Sequence, residues 1–80
     1  MPEYIATFHS HYASMRYKKL CDKHQIAGKI MPVPRSLSSS CGTCVGYTAE
    51  NYLIDDSILE ELEQIVQVEN QAYIVVYEVQ

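Results

Sequence analysis

The residues best suited to chemistry cluster in the stretch Met31 to Cys44, MPVPRSLSSSCGTC, where Cys41 and Cys44 stand at C-x-x-C spacing behind a hydroxyl-rich run. A cysteine acts as nucleophile or metal ligand through its thiolate, which cations, imidazolium groups and helix N-termini favour. Arg35 supplies a cation, and the hydroxyls of Ser38, Ser39 and Ser40, with the loop amides around Gly42, can hold an anionic sulfur. His9, Ser10 and His11 form a second polar group far away in sequence. Cys41 is therefore the expected nucleophile, attacking an activated sulfur or selenium and carrying it as a persulfide or perselenide. Cys44 has two readings: a resolving thiol that releases cargo by forming a disulfide, or a small core residue of the strand that follows. An offset of three sends the two side chains to opposite faces of an extended chain, so pairing requires a bend at Gly42 and Thr43.

These groups have to be brought together by the elements around them. Tyr4, Ile5, Ala6, Thr7 and Phe8 suit a strand over Glu3 to Phe8. Ser10 offers an N-cap, and Ala13, Tyr17, Leu20 and Cys21 recur at helical spacing, which predicts a first helix from Ser10 to about His24. Cys21 on that stripe reads as a buried, inert thiol, and His24 as a solvated helix-end residue that complements the dipole with Lys23. Gly28 marks a turn, and Lys29 to Val33 reads as a second strand at a sheet edge, because Pro32 cannot donate to a ladder. Thr43 to Thr48 is a third strand, with Gly46 pointing to a bulge or close approach.

Further on, Ser57 and Glu60 have the form of a capping box, and Ile58, Leu59, Leu62, Ile65 and Val66 fall at helical spacing. They predict a second helix that Asn70 closes in a left-handed turn, before a fourth strand over Ala72 to Val79. The expected fold class is α+β: one ferredoxin-like domain over residues 1–80, βαββαβ, with a four-stranded antiparallel sheet and two helices on one face. Its strand order, 4-1-3-2, sets His9, Ser10, His11 and the first helix N-terminus beside the loop from Arg35 to Cys41.

Composition narrows the setting. A chain of 80 residues supports one small core and no deep pocket. An odd cysteine count, no apolar leader and no bilayer-spanning run lead to the expectation of a cytoplasmic protein with reduced thiols and no membrane contact. Net charge is −4, yet every Lys and Arg precedes Cys41, while Glu50, Asp55, Asp56, Glu60, Glu61, Glu63, Glu69 and Glu78 follow it. Arg16, Lys19 and Lys23 would make a basic face that meets either those acids or an acidic partner protein. Six basic residues in an acidic chain are a thin footprint for nucleic acid, which is not an expected partner.

Two rival readings accompany the carrier thiol. Tyr4, Tyr47, Tyr73 and Tyr77 fall on strands and form either a half-wet face for a homodimer or other partner, or a tyrosine-rich core. The first option makes the chain a non-catalytic interaction module. The other rival is a small zinc protein with Cys41, Cys44, His9 and His11 as ligands, although one C-x-x-C with an H-x-H lacks the second ligand pair of zinc ribbons and fingers. No metal or cofactor is expected under the carrier reading, and a carrier with a reactive cysteine fits better than a turnover enzyme.

The runs FHSHYA at Phe8 to Ala13, KLC at Lys19 to Cys21 and, above all, MPVPRSLSSSCGTCV at Met31 to Val45 resemble the DUF3343 family of selenium/sulfur carrier protein-like chains. Pro32, Pro34, Arg35 and Gly42 match that family's pattern, while Gln25 stands where a Gly commonly ends the first helix. The resemblance implies a small cytosolic bacterial protein that handles sulfur or selenium, with the cysteine before Gly, here Cys41, as carrier. Its partners would be a sulfur or selenium donor protein of the cysteine desulfurase kind and an acceptor protein.

Overall fold

A computed structural model describes residues 1–37 and 39–79. Glu3–Phe8 forms β1, in which every residue after Glu3 is buried. The reason is its place: Thr43–Thr48 (β3) pairs with it antiparallel on one side and Leu62–Glu69 (β4) antiparallel on the other. As a central strand it also has a core cluster on each face, with Tyr4, Ala6 and Phe8 in one and Ile5 in the other, so it needs no polar alternation. Gly28–Pro32 (β2) adds outside β3 and Ala72–Glu78 (β5) outside β4, giving the antiparallel order β2-β3-β1-β4-β5. Pro32, which has no N–H to give, lies on an edge strand as its chemistry requires.

The helix α1 spans His11–Lys23 and starts at Ser10, whose backbone is extended and whose hydroxyl oxygen accepts the Ala13 N–H at 3.2 Å. It ends in a Schellman motif: Ile26 N–H donates to Cys21 O at 2.8 Å and Gln25 N–H to Asp22 O at 3.1 Å. That closure puts Gln25 at φ 60, the left-handed conformation for which glycine is the usual choice. Ala13, Ser14, Tyr17 and Cys21 are the buried stripe of the helix. They meet Tyr4, Ala6, Phe8, Val45, Tyr47, Leu62 and Ile65 in the main core. Fully burying side chains of the Phe8 or Ile65 class contributes about 1.5–3 kcal/mol each, so this face supplies most of the stability.

Tyr4, Tyr17, Tyr47 and Tyr77 belong to that core. Tyr47 stacks at 5.5 Å from Tyr4 and 5.7 Å from Tyr17, Tyr17 lies 5.0 Å from Phe8, and Tyr52 links Tyr4 to Tyr77. The open tyrosine face considered for a dimer is thus corrected to a tyrosine-rich core on the helix side, with Tyr73 alone packing on the other face. The Tyr17 and Tyr47 hydroxyls are 2.8 Å apart, Tyr17 reaches Leu53 O at 2.6 Å, and Leu53 N–H donates to the Tyr47 hydroxyl at 3.0 Å. Each hydroxyl has one hydrogen, so the pattern closes only if Tyr17 donates to Leu53 O and Tyr47 donates to Tyr17. The ring of bonds ties the connector after β3 to both sheet and helix.

The expected second helix is a strand. Asp55, rather than Ser57, acts as the cap, its carboxylate accepting the Ser57 N–H at 2.9 Å, and the helical turn stops after the 3₁₀ segment Asp56–Ile58. β4 then runs to Glu69 and returns through Asn70 and Gln71, at φ 50 and 68, directly into β5. Two left-handed residues in a two-residue loop make a type I′ hairpin. Asn70 does turn left-handed, but inside this hairpin rather than at a helix end. Ile65 to Val68 and Ala72 to Val79 are rich in β-branched residues, and pairing β4 along the full length of β1 outweighs the helical spacing of Ile58, Leu62 and Ile65. The ferredoxin-like detail of four strands and two helices is therefore replaced, among the described residues, by five strands and one helix.

On the face opposite α1, a second cluster of Ile5, Cys44 and Val66 is covered by Met31, Val33, Leu37, Val68 and Tyr73. Val33 and Leu37 belong to the segment between β2 and β3, so that segment folds back over the sheet. No helix among the described residues is long and apolar enough to cross a membrane.

Candidate functional site

The site forms where β1 ends, α1 begins and β3 starts. Strand alternation sends the Thr43 side chain toward α1 and that of Cys44 to the opposite face. Thr43 Oγ1 lies 3.0 Å from His11 Nδ1 and 3.2 Å from Ser14 Oγ, both in the first turn of α1. The Cys41 sulfur lies 3.2 Å from the same Thr43 oxygen and accepts the Thr43 N–H at 3.4 Å. One hydroxyl thus touches the thiol on one side and an imidazole on the other. Cys41 is half-buried, and its own N–H donates to Ser39 Oγ at 3.2 Å.

A second set of bonds anchors the residues before Cys41. Ser39 Oγ donates to Glu63 Oε1 at 2.6 Å, Ser40 N–H to Glu63 Oε2 at 3.1 Å, and the Ser40 hydroxyl also donates to Oε2. His9 Nδ1 stands 3.2 Å from Ser40 Oγ and 3.4 Å from the Glu63 carboxylate. Glu63 reaches this position because β4 carries an irregularity there: Thr7 pairs with Gln64 but Phe8 with Leu62, which leaves Glu63 as the extra residue. A bulge of this kind re-aims a side chain toward a sheet edge. Burial alone would raise the Glu63 carboxyl, but the hydrogen bonds from Ser39 and Ser40 and the nearby His9 outweigh it and leave it below the usual carboxylate range.

The three thiols are all free and differ in setting. Cys44 is fully buried, donates to Pro32 O at 3.6 Å, and is pushed up to about 11 by burial, with Cys41 adding to the shift. Cys21 lies in the main core and is likewise raised to about 11, mainly by burial. An unreactive thiol is what such surroundings produce.

The other residues singled out from the sequence fall as follows. Ser10 uses its hydroxyl oxygen in the helix cap. Arg35 is exposed in the turn closed by Leu37 N–H to Pro34 O at 3.0 Å, and no hydrogen bond or ion pair joins it to the other described residues. Ser38 lies outside the described residues. Gly42 is not left-handed, and a Cβ there would meet nothing within 4 Å, so its lack of a side chain leaves open space beside Cys41. The zinc ligand set is not gathered: no group of three or more His, Cys, Asp or Glu side chains converges among the described residues, and Cys44 faces away from α1. Of the two counterparts considered for the basic face, the acidic helix does not form; Arg16 donates to Ser57 O at 2.9 Å, and Lys19 and Lys23 line a shallow groove beside it.

Thr43, Ser14 and Glu63 are site residues that the sequence reading passed over. Thr43 carries one signal, its place between the two cysteines at the head of a strand. Glu63 carries none while the segment is read as a helix, because there it is one acid among many on a solvated side.

No curated protein and no solved structure matches the chain. The family model described as "Putative Se/S carrier protein-like" matches residues 3–78, a span holding Cys41 and every side chain now seen around it. With the match running across the whole sheet and the helix, the chain belongs to the Se/S carrier protein-like family.

Proposed function

We propose that the chain is a thiol-based carrier in which Cys41 takes up a sulfur or selenium atom as a persulfide or perselenide and passes it to an acceptor protein. The observation that supports this most is the line Cys41 Sγ, Thr43 Oγ1, His11 Nδ1, with separations of 3.2 and 3.0 Å. In the resting thiol the S–H donates to Thr43, whose own hydroxyl hydrogen points to His11. Moving both protons one place along gives a thiolate, an intact Thr43 hydroxyl that donates to it, and a His11 imidazolium. The Thr43 N–H also donates to the Cys41 sulfur, at 3.4 Å. Ser39 and Ser40 act on this scheme through the backbone, by fixing the segment that presents Cys41, while Arg35, exposed nearby in sequence, is available to an anionic donor.

The chemistry then balances without a cofactor. The Cys41 thiolate attacks the outer sulfur of a donor persulfide, the donor thiolate leaves with the bonding pair, and the reverse sequence hands the atom to an acceptor thiol. A cysteine desulfurase-like protein is the fitting donor, and three free thiols suit a reducing cytoplasm. Incubation with a cysteine desulfurase and cysteine, or the selenium equivalent, should add one chalcogen atom by mass, lost in Cys41→Ala. Absence of any adduct at Cys41 overturns the reading.

A second reading, self-association, draws support from the outer strand β5. Ile74 and Val75 are about half exposed, at 47% and 50%, on an edge with no Lys or Pro to guard it. Two copies could extend the sheet there, which light scattering across a concentration series would reveal as a dimer mass.

A further inference from the structure

Cys44, three residues from Cys41 but buried on the opposite face of the sheet, is the thiol nearest in sequence that could undo the carrier state. If its thiolate attacked Cys41 Sγ of a loaded protein, a Cys41–Cys44 disulfide would form and the bond to the outer sulfur would break. That sulfur would leave as HS⁻ with the bonding pair. The two cysteine sulfurs are oxidised by two electrons in total and the carried sulfur is reduced, so no outside oxidant is needed. A carrier has to prevent this until the acceptor arrives.

We propose that Glu63 is a positioning residue that keeps the cargo on Cys41: by tethering Ser39 and Ser40 it holds Leu37 and Val33 packed over Cys44. This rests on the carrier reading. Three observations carry it. Leu37 and Val33 are part of the cover on the Ile5, Cys44 and Val66 cluster. Beyond them, the side chains of Ser39 and Ser40 and the Ser40 N–H converge on one carboxylate, with His9 as the facing titratable group. Beneath the cover, Thr7 is the register partner of Cys44 and fully buried, yet its Oγ1 has no hydrogen-bond partner among the described residues. Directly opposite strand residues stand about 4.5–5.5 Å apart at Cβ, so this spare hydroxyl is a donor in reserve for a Cys44 thiolate. The resting state holds Cys44 as a buried thiol on Pro32 O; losing the tether frees it to react.

The test uses the full chain and its E63Q variant. Iodoacetamide labelling of Cys44 should be about tenfold faster in E63Q, because local opening governs access to a buried group. Cys21, buried in the other core, should label at an unchanged rate. After loading from inorganic polysulfide, E63Q should release sulfide and accumulate the disulfide faster than wild type, and E63Q/C44A should not. Unchanged Cys44 labelling, or Cys21 rising in step with it, overturns the proposal, as does fast sulfide release that persists in E63Q/C44A. Wild type that takes up no sulfur overturns the carrier reading instead, and the labelling arm, which uses no cargo, still decides the tether.

Discussion

The Thr43 hydroxyl lies 3.0 Å from the His11 ring nitrogen and, on its other side, 3.2 Å from the Cys41 sulfur. The third residue of C-G-T-C is therefore the link through which a helix-borne imidazole reaches the thiol. Thr43→Val keeps the shape and removes the link. Its Cys41 should react with iodoacetamide at neutral pH about tenfold more slowly, a modest share of what general-base assistance supplies, while Thr43→Ser should retain most of the rate. His11→Ala should slow it similarly, and the double variant Thr43→Val with His11→Ala no further than either single, as members of one relay behave. Additive losses would mean that the two residues act separately.

Glu63 makes a pH-dependent prediction with a definite sign. Its folded-state carboxyl sits below the ordinary value of 4.5, so the stabilisation it provides is present above the usual carboxylate range and disappears as pH falls through the lowered folded value. The Ser40 amide proton, bonded to Glu63 Oε2, reports this directly. Followed by NMR from neutral to acid pH, its shift should titrate with a midpoint below 4.5 and lose that step in E63Q. A midpoint at or above the ordinary value would show that the bonds from Ser39 and Ser40 do not favour the carboxylate.

The residues up to Thr48 are legible because their signals are local and agree. Ser10 caps the helix it precedes, the Ala13, Tyr17 and Cys21 stripe is the buried one, and Pro32 marks an edge. Neighbourhood of β1 and β3 then brings His9 to Ser40 and His11 to Thr43, one on each side of Cys41 in sequence. From Ser57 onward two patterns compete over the same residues. Ile58, Leu62 and Ile65 repeat at helical spacing and all enter the main core, while Val66 turns to the opposite face, as only a strand allows. The deciding partner, β1, is some sixty residues away, and a two-residue turn of Asn70 and Gln71 lacks the glycine that usually announces a hairpin. Misreading β4 hides Glu63 as well, since its reach to Ser39 and Ser40 exists only at a strand bulge.

The hydroxyl ring of Tyr17, Tyr47 and Leu53 predicts a stability loss that ring packing does not. Burial raises both phenols, so the neutral, donating forms persist. Tyr47→Phe keeps the stacking but leaves the Leu53 N–H without its acceptor, at a cost of about 1–3 kcal/mol; Tyr17→Phe similarly strands Leu53 O. Urea denaturation should show the double variant losing less than the sum of the singles, because either change opens the same ring. Neutral singles would mean that water replaces the missing partner.

Two glutamines are held where glycine would rest more easily. Gln25, at φ 60, closes the Schellman motif of α1, and Gln71, at φ 68, completes the hairpin between β4 and β5. A side chain in the left-handed region costs roughly 1–2 kcal/mol, part of which glycine forfeits through its more flexible unfolded chain. Gln25→Gly and Gln71→Gly should therefore each stabilise the protein by about 0.5–1 kcal/mol, raising Tm by a few degrees in a chain of this size. The gains should add, since the motifs belong to different elements. Gln71→Gly also tests the architecture: stabilisation accompanies a type I′ turn, in which Asn-Gly is the favoured pair, whereas a flexible linker after a helix would be loosened by the same change. A lower Tm for Gln71→Gly would count against the hairpin.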